Sequence, residues 1–297
     1  MDAVSITAIL PAYDRVEQTL TTIARLTACQ PPPAEILVHL DNGADFPLPA
    51  HVRVLRSPTN LGPGGGRNLL IKAARCEWVA SFDDDSFPVE EDFFAKAMKA
   101  IGDYPQAAVI ACPIIHRNVP SLEDCRPKLR RTATFVGCGC IYQRSAFLET
   151  EGYVPLPVAY GMEEIDLALQ LHAAGRLMVE VPQLEVFHDT DLSHHDSPRI
   201  TAGSIKNQAL LTWVRYPLAS FPYGFLQWLN KAKDNLLRRR FRGAIKGMLE
   251  TPGYLWRHRK LRQPVAPGAL RSFRALVHDS EGTLASPAAI PLPACAE

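Results

Sequence analysis

The sequence predicts an α/β protein with a mostly parallel sheet and flanking helices, followed by a helical C-terminal region. Short apolar runs, typical of buried strands, alternate through the first half with segments whose apolar residues recur at helical spacing. This order favours parallel strand pairing through right-handed crossovers. With 297 residues, of which 47% are hydrophobic, the chain is long enough for one large domain or two small ones.

The first half contains the clearest elements. Residues 5–10 form an apolar run that Pro11 stops, and residues 16–29 have helical spacing that ends before Pro31. Six further elements are expected before the middle of the chain: strands over 35–40, 51–55, 78–82 and 107–115, and helices over 68–75 and 90–101.

The middle and the end of the chain complete the expected organisation. A strand over 132–143, a helix over 162–174 that stops at Gly175, and a strand over 177–181 are predicted. We expect three parts: an α/β domain over 1–200, a basic amphipathic helical region over 201–279, and a disordered tail rich in Pro, Ala and Ser over 280–297.

The composition excludes several classes of protein. A formal net charge of +1 argues against a generally basic nucleic-acid-binding protein and against an acidic disordered chain. No signal peptide is recognisable, and no uninterrupted apolar stretch reaches the roughly 18 residues of a membrane-spanning helix. The seven cysteines lack zinc-binding spacing. These features predict a cytoplasmic protein with reduced thiols.

Three adjacent carboxylates follow the predicted strand over 78–82. Asp83, Asp84 and Asp85 repel one another and lose solvation there, so a counter-charge should stabilise them. Ligands bind at the carboxyl ends of strands in open α/β sheets, and carboxylate oxygens suit Mg²⁺ or Mn²⁺. The alternative is a solvated acidic turn in which Asp85 or Ser86 caps the next helix.

A glycine-rich segment, Asn60 to Asn68, leads into a predicted helix. Glycines at such a place let backbone N–H groups approach phosphates, and Arg67 would add a charge-assisted contact. A dinucleotide-binding fingerprint opens in the same way, with Gly62 and Gly64. However, Arg67 takes its third glycine position, and the segment follows the third strand rather than the first. A tight turn without a ligand is the alternative.

Two later segments carry further polar candidates. On the helix over 162–174, Glu163 and Asp166 lie near one face and Glu164 lies at its edge. Acidic residues in a first turn also suit the helix dipole, which is a structural alternative. His188 follows a short apolar run, where a lone histidine is more commonly a core or surface residue than a ligand.

The region from Thr201 to Val265 is strongly basic. It contains 13 Lys and Arg against two Asp and Glu, whereas the rest of the chain contains 19 against 29. Aromatic and apolar residues interleave with the basic ones, which suits amphipathic helices lying on an anionic membrane surface. The alternative is a set of helices that pack on the catalytic domain and expose a solvated basic side. No nucleic-acid recognition motif accompanies these residues.

Taken together and in this order, these motifs resemble those of family 2 glycosyltransferases with the GT-A fold. The resemblance covers about residues 4–190 and lies in the shared order and spacing. The motifs are Leu10-Pro-Ala-Tyr-Asp-Arg15, Asp41-Asn-Gly43, Asn60 to Asn68, Phe82-Asp-Asp-Asp85, Gly137-x-Gly139 with Arg144, Glu163-Glu-Ile-Asp-Leu167, and His188.

The resemblance implies an inverting enzyme that moves a sugar from a nucleotide-diphosphate sugar to a hydroxyl acceptor. The implied donor-binding positions are Pro11 and Tyr13 in the pocket wall, Asp41 at the nucleobase, Arg67 near the base or the diphosphate, and Asp83 and Asp84 near the ribose. In this DXD-type triplet, Asp85 would bind Mn²⁺ or Mg²⁺, with His188 as a second protein ligand.

The resemblance also implies the catalytic groups. Glu164 matches the position of the catalytic base. Many members of the family have Glu-Asp where this chain has Glu163-Glu164, so Glu163 remains an alternative base. Asp166 would organise the site. Gln170 stands where many members have Arg, which would alter the acceptor contacts.

Many members of the family build cell-surface polysaccharides, which implies a sugar or lipid-linked acceptor and a peripheral position on the inner face of the cell membrane. Two other functions remain open. One is a non-catalytic module that binds a nucleotide sugar. The other is a sugar-phosphate nucleotidylyltransferase, but such enzymes carry a glycine-rich basic loop directly after the first strand, where this chain has Pro11-Ala-Tyr-Asp-Arg15.

Overall fold

The structure is a computed structural model that describes residues 4–117, 129–158, 160, 162–190 and 197–278. The expected tail over 280–297 lies outside these residues. The strands are β1 (Ile6–Ala12), β2 (Glu35–Leu40), β3 (Val52–Arg56), β4 (Trp78–Phe82), β5 (Ser86–Pro88), β6 (Ala107–Ala111), β7 (Ile114–His116), β8 (Arg130–Arg131), β9 (Gly139–Gln143), β10 (Leu177–Glu180) and β11 (Val186–His188). The helices are α1 (Val16–Ala28), α2 (Gly62–Ala73), α3 (Phe93–Asp103), α4 (Arg144–Leu148), α5 (Glu163–Ala173), α6 (Pro198–Arg215), α7 (Phe221–Leu237), α8 (Phe241–Arg257) and α9 (Pro267–His278).

The described strands form two sheets. The larger one has the order β3-β2-β1-β4-β9-β6-β10-β8. Its first four strands are mutually parallel, β9 runs antiparallel to both of its neighbours, and β10 is parallel to β6. The smaller sheet has the order β5-β11-β7. The predicted α/β architecture with a mostly parallel sheet is confirmed.

The large sheet is covered on both faces. Side chains alternate along β1, so that Ile9 packs in one hydrophobic cluster while Ala8 and Leu10 pack in another. The first cluster includes residues of α2, α5, α6 and α9, and the second includes residues of α1 and α3. These helices fix the carboxyl ends of the parallel strands, where the candidate site lies.

The glycine-rich segment differs from its prediction. The sequence predicts a loop followed by a helix over 68–75, but the helix α2 already begins at Gly62, so the glycines lie in its first two turns. A Cβ at Gly64 would lie 2.9 Å from Tyr153 Cβ, and one at Gly66 would lie 3.1 Å from Pro11 Cβ. The glycines therefore allow α2 to approach the sheet and residues 153–157 closely, and the sequence pattern alone does not show these contacts.

Two predicted strands are shorter than expected. The run over 107–115 divides at Pro113 into β6 and β7, which belong to different sheets. Of the run over 132–143, only β9 is a strand, and the residues before it form a loop that contributes to the site. In both runs the apolar residues mark buried positions, but some of these positions lie outside the strands. The apolar pattern therefore predicts strands that are too long.

The C-terminal helices pack against the α/β part of the molecule. Leu210 and Val214 of α6, and Phe273 of α9, belong to the same hydrophobic cluster as Leu167 of α5. Among the described residues, no helix combines the length and the apolar character needed to cross a membrane.

Candidate active site

The carboxyl ends of β1, β2 and β4 open into a cleft of about 560 Å³. Five of the six predicted donor-binding residues line this cleft: Pro11, Tyr13, Asp41, Asp83 and Asp84. Parallel strands end at the same edge of a sheet, which is why residues distant in sequence meet here. The sixth residue, Arg67, is buried and reaches the cleft through its contact with Asp83.

The Asp41 carboxylate fixes the start of α2 beside the cleft. It accepts hydrogen bonds from the backbone N–H groups of Leu61 and Gly62 and from the Ser57 hydroxyl, at 2.8 to 3.1 Å. Asp41 is 6% exposed. Donors therefore already surround the carboxylate, and its remaining surface faces the cleft.

Arg15 supplies the counter-charge for two of the three aspartates. Its guanidinium pairs with both carboxylate oxygens of Asp84 and also with Asp85. Burial raises the pKa of Asp84 to about 7, against the opposing effect of Arg15. Burial also opposes the charge on Arg15, but the two carboxylates outweigh it and raise its pKa. Arg15 belongs to a motif that the sequence singled out, but the sequence assigned it no role.

Arg67 supplies the counter-charge for Asp83, the remaining aspartate. It is 2% exposed and pairs with Asp83, and it donates to Glu163 Oε1 at 3.3 Å and to Ser81 Oγ at 3.1 Å. Burial opposes ionisation of Arg67, yet Asp83 and Glu163 hold its pKa well above the ordinary value. Burial raises the pKa of Glu163 to about 8, so this carboxyl is largely protonated at neutral pH.

His188 lies against the last aspartate. The small sheet pairs His188 with Ser86, and this register brings His188 Nε2 to 3.2 Å from Asp85 Oδ1. Asp85 is 3% exposed, and its Oδ1 makes no hydrogen bond of acceptable geometry with any residue that the structure describes. Burial disfavours the charge on Asp85, but His188 and Arg15 outweigh burial and lower its pKa.

These donor atoms suit Mn²⁺ or Mg²⁺. Ligand atoms of Asp83, Cys138 and His188 lie within 4.8 Å of one another, and Asp85 Oδ1 lies 3.2 Å from His188 Nε2. Carboxylates suit both cations, and imidazole also suits Mn²⁺, whereas thiolates prefer softer metals. Burial raises the pKa of the Cys138 thiol.

The two adjacent glutamates of α5 have different surroundings. Glu163 is enclosed behind Arg67, whereas Glu164 is half-buried and accepts a hydrogen bond from Gly137 N at 3.3 Å. Glu164 lines a second cleft, of about 330 Å³, next to the loop that precedes β9. Of these two carboxyl groups, Glu164 is the one that can contact a ligand.

Asp166 joins the site to the C-terminal helices. Its carboxylate accepts two hydrogen bonds from Arg215 of α6, at 2.6 and 3.1 Å, and one from Gln170 at 2.8 Å. Asp166 is fully buried. Burial raises its pKa, and Arg215 opposes this rise. Asp166 lines neither cleft, and its contacts fix the orientation of α5 against α6.

Comparison with known proteins finds a family model that matches part of the chain. Residues 7–130, which begin within β1, extend past β7 and include the three aspartates, match the family model described as glycosyl transferase family 2. Across its length the chain is 25% identical to the succinoglycan biosynthesis protein ExoO of Rhizobium meliloti (strain 1021), in an alignment that covers 98% of this chain and 93% of that protein.

Solved glycosyltransferases share the fold. The mannosyltransferase PcManGT from Pyrobaculum calidifontis, solved with GDP-Man and Mn²⁺, has a TM-score of 0.57 and 14% identity, with 83% of this chain and 86% of that chain covered. TarS 1-349 of S. aureus, solved with UDP-GlcNAc, has a TM-score of 0.54 and 13% identity, with 87% and 93% covered. These likenesses confirm the predicted GT-A fold.

The cleft lined by the predicted donor-binding residues, called the donor cleft below, has a wall that sequence analysis missed. Tyr160 comes from the segment before α5, and Arg199 and Ile200 come from the first turn of α6. The backbone oxygen of Tyr160 accepts a hydrogen bond from Asn207 of α6 at 3.1 Å, which ties the two parts of the wall together. No local motif marks these residues, because α6 has the pattern of an ordinary basic helix.

Proposed function

We propose that this chain is an inverting, metal-dependent glycosyltransferase that moves a sugar from a nucleotide-diphosphate sugar to a hydroxyl group. The observation that carries this proposal concerns two consecutive residues, Gly137 and Cys138. One contacts the candidate base Glu164, and the other contacts the candidate metal ligand His188. Gly137 N lies 3.3 Å from Glu164 Oε1, and Cys138 Sγ lies 3.6 Å from His188 Nδ1. The candidate base and the candidate metal ligands are therefore neighbours across one short backbone segment.

The residues divide the work of a single displacement. Asp85 and His188 would hold the divalent cation, which stabilises the departing diphosphate when it is bound. Glu164 takes the proton of the acceptor hydroxyl while that oxygen forms a bond to the anomeric carbon, and the bond from this carbon to the diphosphate oxygen breaks. Attack from the face opposite the leaving group inverts the anomeric centre.

The relatives support the choice of donor and acceptor class. PcManGT was solved with GDP-Man and TarS with UDP-GlcNAc, and ExoO is a succinoglycan biosynthesis protein. A nucleotide-diphosphate sugar as donor, and a polysaccharide or glycolipid precursor as acceptor, fit both these names and the cleft. A cleft of about 560 Å³ is within the range of small-molecule sites.

The proposal is tested by thermal shift followed by product analysis. UDP-, GDP- and dTDP-sugars are screened with and without Mn²⁺, and a true donor raises the melting temperature through mass action. The anomeric configuration of the product is then read by NMR. A product with retained configuration, or no stabilisation by any donor in the presence of Mn²⁺, contradicts the proposal.

The assignment of the base is tested with a matched pair of variants. Glu164→Gln should lower kcat by about 10²- to 10⁴-fold, because a positioned base contributes that much, while the thermal shift caused by the donor persists. Glu163→Gln, in the adjacent buried position, serves as the control and should retain most of the activity. Full activity in Glu164→Gln would refute its role.

We further propose that the enzyme works at an anionic membrane surface, which α7 and α8 contact. Phe241, Ile245, Leu249 and Trp256 follow one another at intervals of four and seven residues, so they share one side of α8, and they are 53 to 77% exposed. Leu237 at the end of α7 is 72% exposed, and exposed arginines at positions 238, 239 and 242 flank it. Exposed apolar side chains beside arginines match the chemistry of an anionic bilayer.

Membrane binding is tested by vesicle flotation. Vesicles of three parts phosphatidylcholine to one part phosphatidylglycerol should carry the wild-type protein, and pure phosphatidylcholine vesicles should carry far less. Replacing both Leu249 and Trp256 by Glu should abolish flotation. Val277→Glu on α9, which also replaces an exposed apolar residue, is the control. Equal flotation of all three proteins would refute the proposal.

A further inference from the structure

The second cleft, on which Glu164 lies, shares no lining residue with the donor cleft. Its residues come from the ends of β6 and β10, from the loop before β9 and from the start of α5. We propose that this cleft binds the acceptor, and that the acceptor it takes is an uncharged sugar. This inference rests on the proposed function, because it takes Glu164 as the base.

The position of Glu164 is the first step. In an inverting displacement the base contacts the acceptor hydroxyl on the side of the sugar carbon that faces away from the diphosphate. Among the described residues, Glu164 lines the second cleft and is absent from the lining of the donor cleft. An acceptor that gives its proton to Glu164 therefore has to occupy the second cleft.

The connection between the two clefts is the second step. Gly137 donates its N–H to Glu164, and its carbonyl oxygen accepts a hydrogen bond from Ser81 of β4 at 2.7 Å. Asp83 lies two residues after Ser81 and lines the donor cleft. Gly137 thus connects Glu164 in the second cleft to the strand that leads to Asp83 in the donor cleft.

The lining of the second cleft is the third step. Val136 and Ile165 are 46% and 38% exposed, so they present apolar surface that nothing in the described structure covers, and buried Phe135 lies beside them. Such surface suits the C–H face of a sugar ring. Thr134 provides a hydroxyl group for polar contacts with the ring.

The charge of the cleft selects against acidic acceptors. The two charged residues in its lining are both glutamates, Glu164 and Glu180. Arg130 pairs with Glu180 at 3.0 Å but does not line the cleft. Carboxylates accept hydrogen bonds from sugar hydroxyls and repel an anionic group such as a uronic acid.

The proposal is tested by ligand-observed NMR with methyl glycosides of glucose, galactose and mannose, and with methyl glucuronide as the charged counterpart. The wild type should bind at least one neutral glycoside and should bind the glucuronide at least tenfold more weakly. Val136→Trp fills the cleft and should abolish this binding while the thermal shift caused by the nucleoside diphosphate stays unchanged. Val89→Trp, in which a valine with the same 46% exposure is replaced outside both clefts, should bind like the wild type.

Two more variants make the result decisive. Ile165→Trp should reproduce the effect of Val136→Trp, which protects the test if one variant fails to fold. Glu180→Gln should improve glucuronide binding several-fold, because one repulsive carboxylate is removed. Equal glycoside binding by Val136→Trp, Ile165→Trp and the wild type overturns the proposal, as does the absence of binding of all three neutral glycosides to the wild type.

The outcomes separate this inference from the proposed function. If the wild type turns over no nucleotide sugar but Val136→Trp still loses the glycoside, the cleft is a sugar site and the transferase proposal fails. If the wild type transfers sugar and Val136→Trp transfers it equally well, the transferase proposal stands and the acceptor site lies elsewhere.

Discussion

At the strand ends, three carboxylates lie against two arginines, whereas at the end of α7 and the start of α8 the arginines and the large apolar side chains are exposed together. Asp84 and Asp85 are 4% and 3% exposed, and Arg67, which pairs with Asp83, is 2% exposed. On α8, by contrast, Leu249 is 77% exposed. The net charge of +1 thus conceals two regions in which charges have opposite surroundings.

This difference shows how to interpret each group of charges. Burying a charge is costly unless it is paired, so the buried carboxylates and their arginines form a network whose members depend on one another. The exposed arginines keep most of their hydration and gain little from any single partner. Removing a buried charge should therefore have a large effect on activity or stability, and removing an exposed one a small effect.

The largest effect is expected at Asp85. Asp85→Asn removes the charge beside His188 and should lower the rate of transfer about a thousandfold, since a bound cation contributes several kcal/mol to leaving-group stabilisation. The stabilisation of the protein by Mn²⁺ should be lost as well. Asp45→Asn, an exposed carboxylate that pairs with Arg56, is the control. Activity and Mn²⁺ response like those of the wild type would show that Asp85 is not a metal ligand.

The next largest effect is expected at the buried pair of Asp166 and Arg215, which connects α5 to the C-terminal helix α6. Arg215→Met leaves Asp166 buried without its partner and should lower the free energy of unfolding by about 3–5 kcal/mol, measured by urea denaturation. Combining it with Asp166→Leu should restore much of the loss, because no unpaired charge remains. Lys99→Met, in an exposed pair with Asp103, should leave the free energy of unfolding almost unchanged. Similar losses in Lys99→Met and Arg215→Met would contradict the distinction between buried and exposed pairs.

The sequence predicted the part of the fold where local patterns and tertiary structure agree. Buried apolar runs gave β1, β2 and β4, and the polar residues after them lie where the carboxyl ends of parallel strands meet. The prediction was wrong at the start of α2, because a glycine-rich segment can be either a loop or a closely packed helix. The Gly66 backbone lies against Pro11 and His39, and only the folded chain shows this contact.

The sequence predicted the candidate site residues that belong to local motifs. It did not predict those whose position depends on how helices pack. The sequence singled out Asp83 to Asp85 and His188, and the structure brings them together. It left open which glutamate faces a ligand, because adjacent positions on a helix differ by about 100° and the pattern alone does not show which side is covered. Arg199 in the donor cleft depends on how α6 packs, which no pattern within α6 reveals.

A third effect compares glycines in the two parts of the molecule. Gly64→Ala would bring a Cβ to within 2.9 Å of Tyr153 Cβ and should destabilise the protein by about 1–3 kcal/mol despite the better helix propensity of alanine. Gly253→Ala on α8 meets no atom within 4 Å and should stabilise the protein by about 0.5–1 kcal/mol. Melting temperatures of the two variants should therefore move in opposite directions. Stabilisation by Gly64→Ala would show that α2 is less closely packed than this geometry indicates.

A further effect is a pH dependence that arises from the buried carboxyl of Glu163. Its pKa is raised to about 8 in the folded protein, whereas the unfolded chain has the ordinary value of 4.5, so the folded state binds the extra proton between these two values. Stability contributed by this proton is fully present below about pH 4.5 and is lost as the pH rises towards 8. Glu163→Gln keeps the contact with Arg67 and removes the titration. Its melting temperature should therefore rise relative to the wild type as the pH increases from 5 to 8, by a few degrees. A difference between Glu163→Gln and the wild type that does not change with pH would mean that Glu163 is already ionised in the folded protein.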